Sequence, residues 1–155
     1  MTLHVFNPEH DIALAYDNKY FTAPHAGRQL RHDLDYLPIL WAEEGDYVLV
    51  ENVSSAQQHA LRLQRYGKQV QFVDRTDVER LSEQIDNVMP WGWDSSVKFQ
   101  LGQLGVKASV LPEDKILAGI RQLSNRQFSS AVLRDVLKEL SNPILLGKAS
   151  YINSI

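Results

Sequence analysis

The sequence predicts an α/β domain: a mostly parallel sheet of about four strands in a three-layer arrangement, followed by a C-terminal helical hairpin. Three observations carry this. First, "LHVF" at 3–6, "YVLV" at 47–50 and "VQFV" at 70–73 are short apolar runs almost unbroken by polar residues, the pattern of strands buried on both faces. Second, the segments between them show helical spacing and helix-start residues, so the strands are joined by crossovers rather than hairpins. Third, 155 residues with 44% hydrophobic content are enough for one domain with a substantial core.

The first strand runs into Asn7 and Pro8. Asn7 is expected to cap a short helix beginning at Pro8, which leaves Glu9, His10 and Asp11 beside the strand end. Two readings stay open: Asn7 and Asp11 serve only as caps or turn formers while Ile12 and Leu14 enter the core, or the segment touches a ligand. Residues 25–44 read as mainly helical, with Leu30, Leu34 and Leu37 on one side and Pro38 dividing the run. Arg28, Arg31 and His32 share another side; they form either a solvated face paired with Asp33 or Asp35, or a receptor for a carboxylate or phosphate.

After the second strand, "SSAQQHALRLQRYG" places Ala56, Ala60 and Leu63 on an apolar stripe and Gly67 at the helix stop. Ser54 with Gln57, Thr76 with Glu79 and Ser124 with Gln127 each match capping-box spacing and set three helix starts. "DNVMPWGW" holds a short fourth strand ending at Pro90, and Asp94 can cap a helix through about Leu104, with Gly105 as its stop. Two helices follow at roughly 113–122 and 125–140, the second carrying Phe128, Val132, Leu133, Val136, Leu137 and Leu140 at helical spacing. Asn142-Pro143 ends it, so 1–141 form the domain and 142–155 a tail or the start of a following region.

In such a sheet ligands bind beyond the carboxyl ends of the strands, and this directs attention to Asn7, Glu9, His10, Asp11 and Arg28. Trp91 and Trp93 flank Gly92 in a stiff aromatic corner that packs into the core or stacks on a ligand ring, and Gly92 is attributed to unusual backbone dihedrals. Helical metal-dependent phosphohydrolases use a His-Asp doublet like His10-Asp11, but they need further ligands on helices and the strands here contradict that fold, so no metal is expected. GxGxxG, GxxxxGK[ST] and GxSxG are all missing from the sequence. A net charge of −3 without a basic stripe argues against nucleic acid. No run approaches the roughly 18 apolar residues of a membrane span. With no Cys and no leader pattern, the expected location is the cytoplasm.

Taken together, "FNPEHDIALA", "FTAP", "RQLRHDLDYLPILW", "PWGWD" and "LSNRQFSS" resemble the N-terminal part of an uncharacterised bacterial family whose longer members continue into an ATP-grasp-like region. The resemblance covers nearly the whole chain. It implies a Rossmann-like pre-ATP-grasp domain that contributes substrate surface to a carboxylate–amine or related ligase and is catalytically inert alone. No cofactor is then expected in this chain; ATP and Mg²⁺ enter only with a following ATP-grasp region, and no catalytic residue can be transferred. The implied partner is a small molecule, acidic or amino-acid-like, met by Asn7, Glu9, His10, Asp11 and Arg28. The alternative class is an interaction module that docks a partner or a second copy as a homodimer through exposed apolar helices. A third reading is an independent enzyme built on the His10-Asp11 region.

Overall fold

The computed structural model describes residues 1–63, 65–66 and 68–139. Four strands, β1 (Thr2–Val5), β2 (Tyr47–Leu49), β3 (Gln71–Val73) and β4 (Asn87–Pro90), form one sheet in the order β3-β2-β1-β4, and every pairing is parallel. The helices are α1 (His10–Tyr16), α2 (His25–Leu34), α3 (Val53–Ala60), α4 (Arg75–Leu81), α5 (Ser95–Gln103), α6 (Asp114–Ser124) and α7 (Arg126–Glu139). This is the Rossmann-like α/β architecture with C-terminal helices that the strand pattern predicts. The chain divides into two compact units, one spanning Met1–Leu117 and the other beginning at Ala118. The sheet and the site described below belong to the first.

Register explains the two cores. Leu3 pairs with Tyr47 and Val88, so these side chains share one face of the sheet. That face carries the larger cluster, in which Leu3, Val73 and Val88 pack with Val78 of α4 and Val97 and Leu101 of α5. The opposite face buries Val48 and Val50 with Ala56 of α3. A fully buried Val/Leu/Ile side chain contributes about 1.5–3 kcal/mol, which makes these clusters the main support of the sheet. His4 is also buried in the central strand, and its Nε2 meets Asp46 Oδ2 at 2.9 Å. Burial pushes the Asp46 carboxyl up, but hydrogen bonds from His4 and from the Glu43 and Thr2 backbone outweigh it and hold the group below its ordinary value.

Crossovers to β2 and β3 run one way along the sheet and the crossover to β4 returns past β1, so the strand order reverses between β1 and β4. β4 is an edge. The Asn87 and Trp91 N–H groups bond to the carbonyls of Met1, just before β1, and Val5, at its end, so the intervening even positions present their amides outward. One of these is Pro90, which has no N–H and blunts the edge against further strand pairing.

Several local expectations are corrected. Asn52, Asp74 and Asn125, not Ser54, Thr76 and Ser124, provide the side-chain oxygens at the starts of α3, α4 and α7; Asp74 and Asp77 form a reciprocal capping box. Amide and carboxylate oxygens at those loop positions already satisfy the first N–H groups, which shifts each start by one or two residues. The expected helix is present as α2, though Leu30 of its apolar side is exposed and α2 has no buried residue. Pro38 does divide the segment, and a 3-10 turn at Leu37–Leu40 buries Pro38 and Ile39. Asp94 and Gly105 delimit α5 as expected, the glycine with φ +81°. Gly67, Leu140, Asn142-Pro143 and the segment 142–155 lie outside the described residues. Among the described residues no helix is long and apolar enough to cross a membrane.

Candidate functional site

The site begins where β1 stops. The last ladder bond runs from the Trp91 N–H to the Val5 carbonyl at 2.7 Å. Beyond it the Asn7 side chain behaves like one more strand residue: Nδ2 donates to the Gly92 carbonyl at 2.8 Å and Oδ1 accepts the Gly92 N–H at 3.2 Å. The Asn7 amide is thus committed across the sheet and is not available as a helix cap. α1 starts at His10 rather than Pro8, with Glu9 in the cap position making no side-chain cap bond.

Asn7 Nδ2 also donates to Asp94 Oδ2 at 3.2 Å. Asp94 is 2% exposed and uses both oxygens. Its Oδ1 accepts the Ser96 and Val97 N–H groups at the start of α5, and its Oδ2 meets His10 Nδ1 at 3.3 Å as well as Asn7. This network assigns a hydrogen to His10 Nδ1. The His10 ring lies against Gly92 so closely that a Cβ there would fall 2.2 Å from His10 Cδ2. Gly92 is therefore explained by contact, not by unusual dihedrals: its φ is not among the positive ones. Asn7, His10, Gly92 and Asp94 seal the reversal between β1 and β4.

Beside this seal lies a cavity of about 480 Å³, within the range of small-molecule sites. It sits over the carboxyl ends of the strands, bounded by Phe6 and Asn7 after β1, Val50 and Glu51 after β2, and Asp74 and Arg75 after β3. Phe21, Val97 and Leu101 contribute apolar wall. Glu9 and Arg31, also lining residues, form an ion pair between the start of α1 and the last turn of α2. Glu9 is 8% exposed, and both its Oε2 and Arg31 Nε are buried without a hydrogen-bond partner. Burial is the main influence on Arg31 and lowers its pKa, against the raising effect of Glu51 and Asp94. One turn along, Asp35 Oδ2 accepts the Glu51 N–H at 2.7 Å; burial nevertheless raises the Asp35 carboxyl above its ordinary value.

The structure separates the residues singled out from sequence. Asn7 and Glu9 line the cavity, whereas His10, Asp11, Arg28, Trp91 and Trp93 do not. Asp11 is exposed, and Arg28 turns back to the Ala23 carbonyl. Trp91 is 60% exposed and packs edge-on against Phe6 and tilted against Trp41, while Trp93 packs against the larger core cluster. Of the basic side of α2, Arg31 turns inward and His32 outward to Glu51, which raises its pKa through the hydrogen bond between them. Sequence reasoning passed over Glu51, Asp74 and Arg75. A signal existed, because Glu51 and Asp74 are the first polar residues after the second and third strand runs, as Asn7 is after the first. Among the described residues no group of three or more His, Asp or Glu side chains could hold a metal ion.

Fold and site together define a Rossmann-like α/β unit with a charged cavity at the carboxyl ends of its strands. No protein-family model matches the chain, and neither does any curated protein or solved structure.

Proposed function

We propose that this protein is a small-molecule-binding domain that presents substrate to an ATP-grasp-like ligase and is catalytically inert alone. The observation that carries the reading is the cavity of about 480 Å³, placed where parallel sheets bind ligands and lined by the partly buried Glu9–Arg31 ion pair, whose Oε2 and Nε are buried without partners. The resemblance to the N-terminal part of the ATP-grasp-like bacterial family supplies the reaction class. In that arrangement ATP and Mg²⁺ belong to a following region, and this unit contributes the substrate surface. An amino-acid-like small molecule suits a cavity that holds both guanidinium and carboxylate groups. A cysteine-free chain suits the bacterial cytoplasm.

Calorimetry tests the division of labour. Titration of residues 1–155 with ATP and Mg²⁺ is expected to give no saturable heat; tight binding would contradict it. A second reading, an oligomerisation module, is favoured by one observation: α7 has no buried residue and exposes Val132, Leu133 and Val136 along one side. A mass that rises with concentration in sedimentation equilibrium, and falls back in Val132→Glu, supports that reading; a concentration-independent monomer mass removes it.

A further inference from the structure

The cavity's charge separates the two substrate classes that the sequence leaves open. Among the described residues its wall carries five carboxylates, those of Glu9, Asp35, Glu51, Asp74 and Asp94, against the guanidiniums of Arg31 and Arg75. The carboxylates are not equivalent. Asp94 is engaged on both oxygens, and Asp74 takes the Asp77 N–H at the start of α4. Glu51 is half exposed and paired with His32. Glu9 and Asp35 remain. Glu9 meets Arg31 through Oε1 alone, leaving the buried Oε2 without a partner. Asp35 receives one backbone N–H in surroundings that disfavour its charge. Both line the same cavity, where a cation would offset the unpaired oxygen of the one and favour the charged form of the other. An anion would be drawn by Arg75 and by the unpartnered Nε of Arg31, whose terminal nitrogen is held by Glu9, but the five wall carboxylates outnumber these two guanidiniums.

Resting on the reading of this cavity as the substrate site, we infer that its ligand enters with a cationic amine head bound by Glu9 and Asp35 and an apolar body against Phe6, Phe21 and Leu101. The substrate is an amine carrier, not an acidic molecule.

Three probes of similar size test it on the full chain by ¹H–¹⁵N NMR titration: 2-phenylethylamine, 2-phenylethanol and 3-phenylpropionate. The amine is expected to shift the Asn7, Glu9, Arg31 and Asp35 amides saturably, the alcohol to bind about tenfold more weakly or less, and the carboxylate not to saturate. Asp35→Asn, which keeps an acceptor for the Glu51 N–H, is expected to weaken amine binding about tenfold; should it fail to fold, Glu9→Gln serves instead. Equal binding of alcohol and amine, tighter binding of the carboxylate, or undiminished amine affinity in the folded variant overturns the inference and leaves the substrate site standing. Absence of saturable shifts with all three probes overturns both.

Discussion

The two halves of the strand-end surface use the same residue types to opposite effect. Between β1 and β4, where the strand order reverses and an open sheet ordinarily leaves a crevice, Asn7, His10 and Asp94 form a network with every oxygen of Asp94 engaged. Over β1, β2 and β3, Glu9, Arg31 and Asp35 surround a cavity with buried polar atoms left over. Buried polar groups that are fully satisfied hold a structure together, while unsatisfied ones lower stability and are retained where something else completes them. The Asn7–His10–Asp94 network thus accounts for itself as structure, while the Glu9–Arg31 side of the same cavity is the part that the proposed function assigns to a ligand.

The sharpest way to break this comparison is Asp94→Ala. It removes the cap of α5 and strands the Asn7 and His10 donors, and is expected to lower unfolding free energy by about 3 kcal/mol in urea titrations, summing a lost cap and unpaired buried groups. Gly92→Ala comes next: the methyl would collide with the His10 ring, at about 2 kcal/mol for an overpacked site. The double variant Gly92→Ala, His10→Ala should regain part of that loss, a non-additivity that a merely backbone-limited glycine would not show.

Two aspartates sharpen the comparison through pH. Asp46 is held below its ordinary value by His4, so its contribution is present above the unfolded value of about 3.9 and lost as pH falls through the folded one. Asp46→Ala, which leaves buried His4 unpaired, is expected to cost about 2 kcal/mol at neutral pH. Asp35 in the cavity has the opposite sign. Its folded value is raised by burial, so its favourable contribution is complete below the unfolded value and disappears as pH rises through the folded one. Asp35→Asn should accordingly stabilise the fold at neutral pH and flatten the stability profile above the unfolded value, as read from urea midpoints across pH.

How much of this was legible in the sequence follows from the range of the interactions involved. The four strands were readable because burial on both faces leaves an almost continuous apolar signature in each, and parallel pairing followed from the helical segments between them. Helix starts were misplaced where Asn52, Asp74 and Asn125 sat within two residues of equally plausible Ser and Thr caps. Asn7 and Glu9 were found from their place after a strand. Their partners were not, because Gly92 lies 85 positions from Asn7 in the chain and Arg31 reaches Glu9 only when α2 folds over the strand ends. The role of Gly92 was equally hidden: no local pattern announces that a histidine ring will lie on its Cα.

The proposed function requires that Glu9 and Arg31 be held for a ligand and not for the fold. The unfolding free energy of the Glu9→Gln, Arg31→Met double variant tests this most directly, since it replaces an incompletely satisfied, partly buried pair by neutral groups of similar shape. Stability equal to or above that of the wild type, with binding of 2-phenylethylamine lost, is the predicted result. A loss as large as that of Asp94→Ala would contradict the account and make both halves of the surface structural.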